Sequence, residues 1–524
     1  MERIEGATWK TLPQWFRYLV IGLLVLGLFF RFYHLDRKLY WIDEAHTSLR
    51  VLGYTKTEVV DTLFTGKVIT AAELQQFQRP NPERGWKDTL KALQGNAEHS
   101  PLYFLMARQW VNWFGSSIAT MRSLPAVISL LIFPSLFWLC RELFVAPAVA
   151  WLAVGLVAIA PLQVLYAQEA RPYSLGLVIT LLSSAALLWA MRTTTRVSWL
   201  TYAVTIATGL YTQLLFILVA IAHGIYVLAI EKFRPTKTIA VYLLTTALGV
   251  LAFIPWLQVL ISNWQQVQTA TISLKEQRLP IHLIEQWGLN VSQGLLDQPL
   301  DYASLIPIAL AGYGLYYLCR HTSRRVWLLV LAIAGVGFLG LAIPDLYWGG
   351  QRSVRIRYLL PAFVCIQIAL AYSFATQAIW VKTWQQKFWR VVLIMLVTVN
   401  LIACSVGSQA IVWWNKQPSR CGYYPLAASI INSSPQPLVV SNGPTVDLVA
   451  FSYWLQPSIH MQLVSNPAQF QLATGYESIL LFNSNRRMRK ALTDQGYKLA
   501  LVEKELGTED LDMPLWFVRK SFTP

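Results

Sequence analysis

Four short clusters along this chain hold side chains that can do chemistry. The first, Tyr40-Trp41-Ile42-Asp43-Glu44-Ala45-His46, sets two adjacent carboxylates among aromatic residues. A carboxylate beside an acceptor hydroxyl can take its proton as general base, and a neighbouring carboxylate can orient it or hold a metal. The plain alternative is a solvated loop whose Asp caps a helix. The second cluster is Glu98-His99-Ser100-Pro101-Leu102-Tyr103. Pro101 suits the start of a helix, which puts an acid and a neutral imidazole at a helix N-terminus, able to hold a divalent metal or contact an acceptor. A Ser100 cap with a surface His is the alternative. The third, Tyr166-Ala167-Gln168-Glu169-Ala170-Arg171-Pro172-Tyr173, carries a guanidinium fork of the kind that grips phosphate bidentately. An Arg171–Glu169 ion pair closing a short loop competes with that reading. The fourth, Arg352-Ser353-Val354-Arg355-Ile356-Arg357-Tyr358, presents three Arg at alternate positions. They suit a lipid-linked phosphate or pyrophosphate, or they snorkel to anionic headgroups.

The elements that must position these clusters are apolar. Of 524 residues, 55% are hydrophobic and 13% charged, about half the usual ~25% charged fraction of soluble domains. That balance excludes a water-soluble globule and a disordered chain. It fits a polytopic membrane protein, with 22 Trp and 23 Tyr available for interfacial belts. The net charge of +16 points to cytoplasmic-loop Lys and Arg before any nucleic-acid partner. Cys140, Cys319, Cys365, Cys404 and Cys421 have no CxxC spacing, so neither a zinc module nor a disulfide scaffold is indicated. No Walker-type loop occurs, which argues against an ATP-driven pump.

A membrane span needs roughly 20 apolar residues. Such runs are predicted at Trp15–Tyr33, 123–139, 147–165, 173–191, 239–260, 302–319, 326–344, 358–379 and 391–412. The stretch Val197–Ile230 has 34 residues without Asp, Glu, Lys or Arg. As one helix it would be ~50 Å long at ~1.5 Å per residue, so it is split into a hairpin near Gly209–Gln213, giving about eleven spans. With the N-terminus in the cytoplasm, Arg141, Arg192, Arg196, Lys232, Arg234, Lys237, Arg320, Arg324, Arg325, Lys382, Lys387 and Arg390 fall on cytoplasmic turns, as the positive-inside rule asks. All four clusters then fall on the outer side.

The expected organisation is a membrane module over 1–412, with outer loops at 34–120 and 261–301, and an extracytoplasmic domain over 413–524. Pro101–Phe114 is too short to span and reads as an interfacial amphipathic helix. In the last region strand-like runs (Pro437–Val440, Met461–Val464, Ser478–Phe482, Leu499–Val502, Trp516–Val518) alternate with helical stretches (Tyr424–Ile431, Arg486–Gln495), the pattern of a small α/β domain. Acids and phosphate-binding Arg at one bilayer edge suggest group transfer from a lipid phosphate.

The ordered set Trp41-Ile42-Asp43-Glu44-Ala45, His99-Ser100-Pro101-Leu102-Tyr103, Phe114-Gly115, Arg122-Ser123-Leu124-Pro125, Gln168-Glu169-Ala170-Arg171-Pro172-Tyr173 and Arg357-Tyr358-Leu359-Leu360-Pro361 resembles the GT-C superfamily of polyprenyl-phosphate-sugar-dependent glycosyltransferases. Within it the chain is similar to glycosyltransferase family 39 and its bacterial relatives, including lipid A aminoarabinose transferases and protein O-mannosyltransferases. The resemblance covers about residues 15–380. It implies a site on the outer face of the cytoplasmic membrane, inversion at the sugar carbon, and an undecaprenyl- or dolichyl-phosphate sugar donor; the expected activity is hexosyl or pentosyl transfer, with a hexose such as mannose as the leading sugar. The acceptor is a hydroxyl on a lipid, glycan or protein.

In that frame Asp43 matches the acceptor's base and Glu44 its partner. Glu98 and His99 match a loop-end acidic motif that reads Glu-Lys in some members, which leaves acceptor contact and a divalent metal both open. Arg171 matches the Arg near the donor phosphate, and Arg357-Tyr358 the outer Arg-Tyr pair. Tyr103, Gln168, Glu169, Tyr173, Arg352 and Arg355 complete the candidate substrate-binding set. A flippase or a ligase of lipid-linked glycans is the alternative. A flippase should line a route with charge, whereas His223 is the one clearly ionisable residue well inside a predicted span.

Overall fold

The computed structural model describes residues 9–275, 279–297, 304–379, 384–414, 421–502 and 515–520. The expectations that fall on Lys382, on 276–278 and 298–301 of the second loop, and on 415–420, 503–514 and 521–524 of the C-terminal region lie outside them. The chain divides into two compact units that interleave in sequence. One comprises Met1–Leu35, Asn96–Tyr103 and Arg122–Gln409; the other comprises Asp36–Gly95, Phe104–Met121 and Ala410–Pro524.

The first unit is helical. Among the described residues, Gln14–Phe32, Ile118–Leu143, Tyr173–Thr193, Arg324–Trp348, Ile356–Ile379 and Trp384–Gln409 are long and apolar enough to cross a membrane. Two more spans arise if the bent pairs Pro147–Ala158 with Pro161–Ala167 (61°) and Lys237–Leu251 with Ile254–Ser262 (54°) each count as one. Each bend has a proline in the first turn of its second half, Pro161 or Pro255. Proline lacks the N–H that would continue the ladder and disfavours helical geometry in the residue before it. The eleven-span expectation additionally counts Arg196–Thr212, Phe216–Ile230 and Leu305–His321, which have 17, 15 and 17 residues.

The hairpin expected within Val197–Ile230 is present. Its two helices break at Gln213–Leu215, and Gly209 is required there because a Cβ would overlap the Phe216 ring. His223 pins the fold-back: its Nε2 lies 3.0 Å from Ser184 Oγ and its Nδ1 3.2 Å from the Tyr202 hydroxyl. The bend after Ala158 leaves carbonyls without ladder partners, a cost that must be met inside an apolar slab. Arg31, fully buried, meets it. Its guanidinium donates to Ala158 O, Val157 O and, at 2.8 Å, Gly27 O, while Cys404 Sγ approaches Ile159 O at 3.4 Å.

The second unit is a six-stranded sheet with helices. Its strands are β1 (Thr65–Thr70), β2 (Pro437–Ser441), β3 (His460–Val464), β4 (Ser478–Phe482), β5 (Tyr497–Leu501) and β6 (Leu515–Lys520), in the order β1-β3-β2-β4-β6-β5. The central strands β3, β2 and β4 are parallel, and the outer pairings are antiparallel. All five strand-like runs of the C-terminal region form strands, and Tyr424–Ser433 and Arg486–Asp494 are helices. Leu438, Val440, Leu481, Met488 and Leu492 form the core of this sheet.

The first loop supplies the edge strand: Thr70 stands opposite His460 and Ile69 opposite Met461. It also ties itself to the helix Thr445–Ser452. Gln78 Nε2 donates to Val449 O at 2.7 Å and Ser452 Oγ at 2.9 Å, and the Tyr40 and Tyr453 rings meet edge-on at 4.9 Å. The helix Ile42–Val51 packs on this same helix, so the first loop is held by the C-terminal region.

Candidate active site

Asp43 and Glu44 occupy the first turn of the helix Ile42–Val51. Carboxylates are stabilised there by the unpaired amides and the positive end of the helix dipole. The two are not equivalent. Glu44 is fully buried and reaches back to the Trp41 N–H at 3.5 Å. Asp43 is half-buried, and its carbonyl accepts from the Thr47 hydroxyl at 3.0 Å. The Tyr40 hydroxyl and Ser48 Oγ, 2.6 Å apart, fix the entry to the helix.

Glu98 and His99 belong to the helical unit. The His99 N–H donates to Asn96 O at 3.0 Å, and its Nε2 lies 3.6 Å from Glu98 Oε1. The expected short amphipathic helix runs from Leu102 to Phe114, with Tyr103 fully buried in its first turn. A catalytic zinc site normally uses three protein ligands. Among the described residues no group of three or more His, Cys, Asp or Glu gathers to hold a metal.

Gln168, Glu169 and Arg171 form a buried turn ahead of the helix Tyr173–Thr193. Gln168 Nε2 ties it to the end of Gln14–Phe32, donating to Phe30 O at 2.8 Å and Tyr33 O at 2.9 Å. The Arg171 N–H donates to Glu169 O at 2.6 Å. Tyr173 packs edge-on against Tyr166 at 5.2 Å.

The segment after Arg324–Trp348 is organised by Asp345, whose side chain is completely buried. Its Oδ1 takes Arg352 at 2.8 Å, and its Oδ2 accepts the N–H and hydroxyl of Ser353 at 2.6 and 2.8 Å. Trp287 Nε1 donates to Ser353 Oγ at 3.0 Å and Asn290 Nδ2 to Val354 O at 3.1 Å. Gly350 has φ +143°, and a Cβ there would meet Arg352, Asp345 and Leu274 O. Arg352 is thus part of the scaffold. Arg355 and Arg357 follow it, half-buried, and the Arg357 guanidinium lies 5.4 Å over the Tyr358 ring.

The third and fourth clusters meet in one cleft of the helical unit. It encloses about 580 Å³ counting its open side, and is lined by Tyr173, Leu177, Gln213, Leu215, Leu218, Val219, Ile333, Gly337 and the run Arg357–Ala362. Tyr173, Gln213, Arg357 and Tyr358 are its polar members; the rest is apolar. Arg171, Gln168, Glu169, Glu98, His99, Tyr103, Arg352 and Arg355 do not line it, and Asp43 and Glu44 lie in the other unit. Sequence reasoning missed two residues. Gln213 was read only as part of a turn, although it is a lone amide amid apolar residues. Asp345 falls just past the predicted run 326–344 and was not singled out, although a carboxylate ahead of three Arg invites an ion pair.

No protein-family model and no curated protein sequence matches the chain. Solved structures do. ArnT from Cupriavidus metallidurans bound to undecaprenyl phosphate is 12% identical, with a TM-score of 0.54 over 96% of this chain and 97% of that one. The same protein in its apo state is 13% identical with the same TM-score and coverage. The chain is mostly helical, with several helices long and apolar enough to cross a membrane and a small sheet built largely from its C-terminal region, and over nearly its whole length it has the fold of ArnT.

Proposed function

We propose that the protein is an inverting membrane glycosyltransferase that takes its sugar from a polyprenyl phosphate. The observation that carries this is the cleft: an apolar trough with Arg357 and two tyrosines among its lining, in a chain with the fold of a protein crystallised with undecaprenyl phosphate. A prenyl chain matches the apolar wall, and a guanidinium fork matches the phosphate. The acceptor's hydroxyl oxygen attacks the sugar's anomeric carbon as the carbon–oxygen bond to phosphate breaks. Polyprenyl phosphate leaves, and the hydroxyl proton passes to a carboxylate, which the motif assigns to Asp43 with Glu44 as its orienting partner. Arg357 stabilises charge on the departing phosphate from the cleft lining, and the motif assigns Arg171, outside that lining, the same role. Glu98 and His99 serve the acceptor.

The sugar is a hexose such as mannose. The membrane is the bacterial cytoplasmic membrane, with the N-terminus inside, and the first loop and the region after 412 outside. The test uses purified protein and radiolabelled undecaprenyl-phosphate hexoses. Label should move to a hydroxyl-bearing acceptor, and Gly337→Phe should abolish the movement while the protein melts as wild type. Gly337 lines the cleft, and a Cβ there meets nothing within 4 Å, so the added ring fills the trough. Donor transport without a labelled product would replace the enzyme by a flippase.

A further inference from the structure

Gln213 stands where the helix Arg196–Thr212 ends, with extended backbone at φ −161° and ψ 139°. Its backbone is fully used: the N–H donates to Gly209 O at 3.0 Å and the carbonyl accepts from the Phe216 N–H at 3.1 Å. Its side chain is not used: among the described residues the carboxamide makes no hydrogen bond. Half-buried, it lines the cleft among Leu177, Leu215 and Leu218 with its amide open to a ligand. It is also given room there. An ideal Cβ on Gly176 would lie 2.7 Å from Gln213 Nε2, 2.8 Å from Cδ and 3.0 Å from Oε1. Gly176 has ordinary helical geometry, so the missing side chain serves the space and not the backbone. It is also one helical turn from Tyr173, on the face that turns to the cleft.

We infer that the Gln213 carboxamide is a phosphate-binding group of the cleft, donating its N–H to the lipid-linked phosphate alongside Arg357, and that Gly176 is the niche that seats it. The inference rests on the reading of the cleft as a polyprenyl-phosphate site and adds a residue that the motifs do not name. An amide is the fitting choice. It donates to a phosphoryl oxygen without the desolvation cost of a second buried cation, and it leaves no fixed charge in the trough once the lipid has gone.

The test measures binding of undecaprenyl phosphate, and of undecaprenol as the control without phosphate, to the full-length protein in detergent. Gln213→Met keeps the volume and removes the donors; it should weaken undecaprenyl phosphate about ten- to hundredfold, the range for a hydrogen bond to a charged group, and leave undecaprenol unchanged. Gln213→Glu should weaken it further, since a carboxylate then faces the phosphate. Gly176→Ala should match Gln213→Met because the new methyl displaces the amide, and the double variant should lose no more than either single one. Melting curves establish that each variant is folded.

If wild type binds undecaprenyl phosphate and Gln213→Met binds it equally well, the inference falls and the cleft reading stands. Equal losses for undecaprenol make Gln213 a packing residue and also overturn it. Tolerance of Gln213→Glu removes the phosphate contact, and additive losses in the double variant remove the niche. If wild type does not bind the lipid phosphate at all, the cleft reading fails and this inference fails with it.

Discussion

The first turn of Ile42–Val51 and the segment 352–358 lie in different units, yet the fold treats them alike. Each offers a repeated charge, Asp43-Glu44 in one and Arg352, Arg355 and Arg357 in the other. Each is split. Glu44 is buried against its own helix start and Arg352 is paired to the buried Asp345, while Asp43 is half-buried and Arg357 lines the cleft. Neighbouring residues of the same type therefore differ in burial and in what they touch, and a motif cannot say which member is which.

The contrast within the carboxylate pair gives the largest expected effect. Asp43→Asn keeps size and most hydrogen bonding but cannot accept the acceptor's proton. It should lower the transfer rate at saturating donor by about 10²- to 10⁴-fold, with donor binding unchanged. Glu44→Gln should change that rate far less and show itself mainly as a lower melting temperature. A variant at Asp43 that retains more than about a tenth of the rate would break the division and pass the base to Glu98.

On the cationic side, Asp345→Ala removes the carboxylate that holds Arg352 and Ser353. Losing one partner of a buried ion pair should cost about 3 kcal/mol of stability, read as reduced thermal stability of the detergent-solubilised protein. Unchanged melting would mean that the segment is held by something else. The smallest effect expected is that of Arg357→Lys, which keeps the charge and loses the fork. Undecaprenyl phosphate binding should weaken about tenfold, whereas Arg352→Lys should leave binding nearly intact and lower the melting temperature. Equal binding losses at both positions would erase the distinction between them.

Much of this architecture was legible because apolar runs and alternating strands are local patterns. The six long apolar helices, the hairpin in Val197–Ile230 and the five C-terminal strands lie where charge-free length and period-two alternation put them. The strand β1 was not legible. Thr65-Gly66-Lys67-Val68-Ile69-Thr70 is short and polar, with Ile69 its buried hydrophobic member, and its partner β3 comes nearly four hundred residues later. Prolines marked the two bends, yet nothing local revealed that Arg31 would meet the carbonyls of one of them. The site was half legible: residue types announced phosphate and proton chemistry, but the split of Arg352 from Arg357 depends on Asp345, and the place of Gln213 depends on an absent side chain at Gly176. Both are long-range facts of packing.

Arg31 also bears on the order in which the chain is assembled during synthesis. It sits near the end of the first apolar helix, and the carbonyls it serves lie more than a hundred residues later. When the first helix enters the bilayer those acceptors do not yet exist, and a guanidinium left with Gly27 O alone is drawn toward the headgroups. The first helix is therefore expected to ride shallow, and to settle to its final depth only when Pro147–Ala167 arrives and bends. Arg31→Leu would remove that delay, letting the helix sink early while leaving the later bend with bare carbonyls. Depth-dependent cross-linking of stalled nascent chains should show wild-type Gln14–Phe32 shifting position as the chain passes about residue 167, and the leucine variant showing no shift.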